Sequence, residues 1–134
     1  SPIGLYNELA TLNAEGRVDF ANVTTYNLDE YLEIDMTGVS SKKGGHHTFM
    51  LNVAEVTKYR FTITASSMAS ELAQMPVTLY FMGTAHDTFT WHGTNGEPVS
   101  FTGEYFLTFQ PTRVRLTFGQ SGIDFHKIVI EKIR

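Results

Sequence analysis

The sequence of 134 residues predicts an all-β domain, an antiparallel β-sandwich of the jelly-roll kind. Apolar residues recur with a period of two, as at Val114, Leu116 and Phe118 against Arg113, Arg115 and Thr117, the signature of a strand with one buried and one solvated face. Short strand-like runs are cut by clusters of Gly, Pro, Asn and Ser at the spacing of a sandwich. No helical runs alternate with them, which argues against a doubly wound parallel sheet.

Residues 1–30 read as a lead-in segment with one short strand around Arg17 to Phe20, because Gly4, Asn13, Gly16 and Asn22 break any long helix. From Tyr31 the pattern is regular: Tyr31, Glu33 and Asp35 alternate with Leu32, Ile34 and Met36 until Thr37-Gly38 ends the run. Residues 40–45, rich in Ser, Lys and Gly, form a loop. Two strands follow, His47 to Val53 and Lys58 to Ser66, joined across residues 54–57. In the second, Tyr59, Phe61, Ile63 and Ala65 share a face opposite Arg60, Thr62, Thr64 and Ser66. Met68 to Met75 holds good helix formers and predicts one helical turn, stopped by Pro76. Val77 to Met82 is a strand with Val77, Leu79 and Phe81 inward, followed by a loop from Gly83 to His86 and a strand from Thr88 to Trp91. The turn from His92 to Pro98 contains Asn95-Gly96, a hairpin signal. Strands Val99 to Thr102, Glu104 to Phe109, Thr112 to Phe118 and Phe125 to Lys132 complete the domain. Phe61, Ile63, Leu79, Phe81, Val114, Leu116, Ile128 and Ile130 form the expected core.

Composition narrows the function. One domain, residues 1–134 with the lead-in included, accounts for the length, and 42% hydrophobic residues suffice for a core without staples. The ten Lys and Arg are scattered in a chain of net charge -4, which disfavours a binder of nucleic-acid backbone. The absence of cysteine removes thiol catalysis, thiolate metal sites and disulfides together. No run approaches the roughly 20 apolar residues of a membrane helix, and no charged-then-apolar leader is present. Ser1-Pro2 reads as a processing boundary, so a longer parent protein with a leader and further domains is expected.

The order of four segments carries a resemblance. Tyr59-Arg-Phe-Thr-Ile-Thr-Ala-Ser-Ser67, Pro76-Val-Thr-Leu-Tyr-Phe-Met-Gly83, Arg113-Val-Arg-Leu-Thr-Phe118 and Gly122-Ile-Asp-Phe-His-Lys-Ile-Val-Ile130 together resemble the non-catalytic carbohydrate-binding modules with a galactose-binding-like jelly roll, families six and thirty-five above all. The resemblance covers residues 47–132. It implies a secreted or cell-surface domain, not itself an enzyme, that tethers a covalently linked glycoside-active enzyme to a polysaccharide or oligosaccharide. It also implies a structural calcium ion fed by an early Ala-Glu pair, matched here by Ala14-Glu15. The final turn, Gln120-Ser-Gly-Ile-Asp124, lacks the Asn with which those families touch sugar.

Two constellations offer a ligand site. Trp91, the sole tryptophan, stands at a strand end beside His92, Asn95 and Glu97, where an indole can stack on a sugar ring while amide and carboxylate fix hydroxyls. The competing reading is that Trp91, in phase with Phe89, belongs to the core. The second constellation is a polar platform of Arg60, Thr62, Thr64, Thr78, Tyr80, Arg113, Arg115 and Thr117, suited to carboxylates of an acidic polysaccharide if the strands are neighbours. Its competing reading is an ordinary solvated sheet face. For calcium, Glu15, Asp35 and Asp124 are the preferred hard ligands, with Asp29 and Glu33 as further acids. A histidine metal site is disfavoured, since adjacent His46 and His47 point to opposite faces of a strand. Glu33 and Asp35 also invite acid–base chemistry, yet no nucleophile elbow or phosphate loop accompanies them. The alternatives to the carbohydrate reading are a protein-interaction or adhesin-type sandwich and a small jelly-roll enzyme.

Overall fold

The computed structural model describes residues 23–134, together with the backbone of Thr11–Leu12 and Val18–Asp19. The described residues form eleven strands: β1 (Thr11–Leu12), β2 (Val18–Asp19), β3 (Thr24–Leu28), β4 (Tyr31–Asp35), β5 (His46–Val53), β6 (Thr57–Ser66), β7 (Met75–Phe81), β8 (Thr84–Trp91), β9 (Val99–Leu107), β10 (Thr112–Phe118) and β11 (Asp124–Lys132). A five-stranded sheet in the order β3-β5-β10-β7-β8 faces a four-stranded sheet in the order β4-β11-β6-β9, and β1 pairs with β2. All ladders are antiparallel except β3 with β5. The short strand expected near Arg17 corresponds to β2.

From β3 onward, only the β7–β8 connection stays within one sheet; every other one crosses to the facing sheet. Successive strands alternate in direction, so the connections fall into two groups at opposite ends of the sandwich. One end gathers the β4–β5, β6–β7, β8–β9 and β10–β11 loops. The other gathers β3–β4, β5–β6, β7–β8 and β9–β10.

The apolar period of two settles the core. Strand β7 buries every second residue, Met75, Val77, Leu79 and Phe81, and β10 and β11 supply Val114, Leu116, Phe118, Ile128 and Ile130. Phe61 meets Phe81 at 5.2 Å and Tyr105 at 5.7 Å, edge to face. All eight core residues expected from sequence are buried.

Several local expectations are corrected. Residues 68–74 form no helix. Ser67 and Ser70 give their carbonyls to the β8–β9 crossover, accepting from Thr94 N–H at 2.9 Å and Gly93 N–H at 3.1 Å, so those acceptors serve tertiary structure and leave one turn closed by Ala73 N–H on Ser70. Pro76 sits inside β7, where it pairs with Thr90. Asn95-Gly96 is a tight turn with φ of 54° and 79°, as its composition demands, but it joins strands of different sheets and makes no hairpin. The expected break at Gly103 is also absent, because β9 runs straight through it. The expected loop at Gly83 to His86 is shorter, a turn at Met82-Gly83 that leads directly into β8.

Candidate functional site

Trp91 is in the core. It is 1% exposed, its indole Nε1–H donates to the Val99 carbonyl at 3.1 Å, and Phe101 meets it edge-on at 4.6 Å. The phase shared with Phe89 explains this: both lie on the inward side of β8. No ring face is left for a sugar, so stacking on Trp91 is corrected to packing.

The residues around it still build a site. A cavity of about 220 Å³ opens where β8 passes into β9, with Thr90, His92 and Thr94 on one side and Val99 and Phe101 on the other, and Trp91 behind. The crossover that shapes it is pinned by Ser67, a buried residue that receives the Thr94 hydroxyl on its carbonyl, donates its own Oγ to Gly122 O at 2.6 Å and accepts Ala69 N–H at 3.1 Å. His92 Nδ1 lies 2.8 Å from Ala73 O; a carbonyl only accepts, so Nδ1–H is the donor of this bond. Asn95 and Glu97 are exposed on the same crossover. Of the loop constellation read from sequence, Trp91 and His92 line this cavity together with Val99 and Phe101, whereas Asn95 and Glu97 do not line it.

The polar platform does not exist as one surface. Arg60, Thr62 and Thr64 lie on β6 in the four-stranded sheet, whereas Thr78, Tyr80, Arg113, Arg115 and Thr117 lie on β7 and β10 in the five-stranded sheet. The two groups occupy opposite outer faces. Arg60 forms an ion pair with Glu104 at 3.1 Å, and Arg115 lies over the Tyr80 ring, its register partner, at 4.6 Å. Arg113 is only 3% exposed on the central strand of its sheet, which corrects its reading as a solvated donor.

Of the expected calcium ligands, Glu15 lies outside the described residues. Asp35 sits opposite Lys127 and accepts Thr37 N–H at 2.9 Å; this bonding to Thr37 lowers its pKa. Asp124 pairs with Ser66 at the start of β11. Among the described residues no three His, Asp or Glu side chains converge, so Asp35 and Asp124 do not by themselves make a cage of six or more oxygens.

A second cavity, of about 190 Å³, escaped the sequence reading. It lies at the other end of the sandwich, between the β7–β8 turn and the β9–β10 loop. The exposed Phe106 and Phe109 at its wall were the available signal, though Phe109 was read only as a strand end.

Comparison with known proteins locates the fold. No family model matches the sequence. A β-glucosidase of Ruminococcus albus is 51% identical over 108 residues, 80% of this chain, and the chain spans 11% of that enzyme's length. A glucosamine-6-phosphate deaminase of Borreliella afzelii (strain PKo) is 44% identical over 50 residues, 37% of this chain and 17% of the enzyme. Among solved structures, a β-glucosidase from Paenibacillus barengoltzii superposes with a TM-score of 0.66 at 20% identity, covering 82% of this chain and 11% of that one. A family-six module from Cellvibrio mixtus lichenase 5A in complex with cellotriose gives 0.60 at 12% identity over 77% of this chain and 98% of the module. A family-thirty-six module in complex with calcium and xylotriose gives 0.58 at 13% identity over 75% and 88%. The chain thus has the jelly-roll fold of the carbohydrate-binding modules of families six and thirty-six.

Proposed function

We propose that this chain is a non-catalytic carbohydrate-binding module, part of a longer glycoside-active protein, secreted or displayed at the cell surface, and that it holds its enzyme on a polysaccharide. The observation that carries the reading is the cavity at the β8–β9 crossover, lined by the apolar Phe101 and Val99 together with Thr90, His92 and Thr94; Asn95 and Glu97 are exposed on the same crossover. Sugar rings present C–H faces to such apolar side chains and hydroxyls to such polar ones. The kinship with a segment of a β-glucosidase supports the linked enzyme, and the cellotriose and xylotriose complexes of modules with this fold support the ligand class. Tethering acts through effective concentration, so weak contacts at one module suffice.

Catalysis by the module itself lacks geometric support. Ser66 Oγ and His126 Nε2 stand 2.7 Å apart, at the register shift of β11 against β6 between Phe125 and Lys127, and neither lines the two cavities described above. The deaminase kinship covers 50 residues, too few to account for the sandwich. A calcium ion belongs to the proposal through Asp124 and Glu15.

Affinity electrophoresis in gels containing neutral polysaccharides tests the reading. The folded module is retarded, and His92→Ala together with Asn95→Gly, which keeps the left-handed turn, reduces the retardation while the near-ultraviolet dichroism of the folded module is kept. A folded module that migrates freely through every glycan gel and binds nothing on a broad glycan array is instead a protein-interaction or adhesin-type domain.

A further inference from the structure

Strands β8 and β9 are the edge strands of the two sheets on the same side of the sandwich. At the end remote from the crossover cavity, roughly 20 Å away by the rise of the eight residues of β8, the cavity of about 190 Å³ lies between the β7–β8 turn and the β9–β10 loop. Its floor is Phe81 and Leu107, both buried. Phe106 and Phe109, 60% and 53% exposed, stand at its wall. Thr84, Thr108 and the imidazole of His86 complete the rim.

We propose that this cavity is a second saccharide subsite, which takes one neutral sugar ring. The inference rests on the carbohydrate-binding reading above. No carboxylate, ammonium or guanidinium lines the cavity among the described residues, so nothing there recognises a phosphate or a uronic acid. An apolar floor with a threonine and imidazole rim matches a pyranose, whose ring faces are C–H and whose equator is hydroxyl. The volume is below the range of pockets for drug-sized ligands, about 300–1,000 Å³, and suits a single ring.

The site is held ready. The Phe109 carbonyl accepts the Thr112 hydroxyl at 2.6 Å, and Gln110 Nε2 donates to the Val53 carbonyl at 2.8 Å, which ties the β9–β10 loop to the start of β10 and to the end of β5. His86 packs edge-on against Phe81 at 4.9 Å and 6.2 Å from Tyr105. A fixed loop and a fixed imidazole reduce the ordering cost of binding.

Nuclear magnetic resonance titration of the labelled module with cellotriose, xylotriose and laminaritriose tests it. At least one of these shifts the amides of Thr84, His86, Thr108 and Phe109 along a saturable one-site curve. Phe109→Ala, a change at an exposed side chain, weakens that curve by about tenfold while the amides of residues 90–94 respond as in the unaltered protein. If residues 90–94 titrate and the Phe109 cavity stays silent with all three sugars, the second subsite is refuted and the primary reading stands. If neither group moves, both fall. A Phe109 cavity that titrates equally with and without Phe109 refutes the assignment of its aromatic wall.

Discussion

Replacing Trp91 by Ala separates core from ligand platform in one measurement. Removing a fully buried aromatic costs ~3–5 kcal/mol, and the loss of the indole donor leaves the Val99 carbonyl without its 3.1 Å partner, about 1 kcal/mol more. Against a typical total of ~5–15 kcal/mol, a loss of about 4–6 kcal/mol removes much of the stability. At roughly 3–5 °C per kcal/mol for a domain of this size, the melting temperature falls by about 12–30 °C in a calorimetric or near-ultraviolet dichroism scan. Trp91→Phe keeps most of the packing against Phe101 and Phe125 and falls by less than half as much. Because no indole face reaches solvent, Trp91→Phe also keeps its retardation in glycan gels. A Trp91→Ala protein that melts within about 2 °C of the unaltered one but no longer binds sugar refutes this reasoning and returns the indole to the ligand.

Three further outcomes follow from the same edge of the sandwich and from the last strand. The Tyr105 ring folds over Gly103, where any Cβ would collide with its hydroxyl, so Gly103→Ala destabilises by about 1–3 kcal/mol, and a denaturant double-mutant cycle shows that cost shrinking in a Tyr105→Ala background. Burial, and then the hydrogen bond to Asp87, raise the Tyr105 hydroxyl above its ordinary value of about 10; the stability from the neutral phenol is therefore complete below pH ~10 and is lost as pH rises beyond it, a loss that unfolding midpoints show blunted in Tyr105→Phe. If calcium is held through Asp124 and Glu15 as proposed, it stabilises the folded state by mass action; calcium-loaded protein then melts lower in excess chelator, and an unchanged curve removes the ion from the proposal.

The core was legible because alternation is a property of each strand alone. Tyr59, Phe61, Ile63 and Ala65, or Val77, Leu79 and Phe81, point inward whichever strands flank them. Sheet membership was not legible, because alternation says which residues share a face of a strand and nothing about which sheet receives it. Arg60 and Arg115 therefore looked like neighbours and stand on opposite surfaces. Asn95-Gly96 shows the same divide: its two left-handed residues follow from composition, yet a turn fixes local backbone direction, and the partner of the next strand is chosen by core packing across the sheets. At residues 68–74 helix propensity, worth tenths of a kcal/mol per residue, loses to the loop–loop hydrogen bonds that Ser67 and Ser70 make with Gly93 and Thr94.

Exposed edge strands invite pairing with other chains, and the side of the sandwich where β8 and β9 run together limits that risk with side chains. Tyr105 Oη donates to Asp87 at 2.6 Å across the seam, and Phe89 stacks on Phe101 at 5.7 Å with an interplanar angle of 20°. These contacts join the two sheets along the middle of the seam, and the two cavities described lie at its ends. The crossover cavity draws on residues close together in sequence, 90–94, 99 and 101, which is why Trp91 and His92 could be named from sequence. The cavity at Phe109 is assembled from the β7–β8 turn and the β9–β10 loop, so its parts become adjacent only through the direction reversal that carries the chain from β8 into the facing sheet.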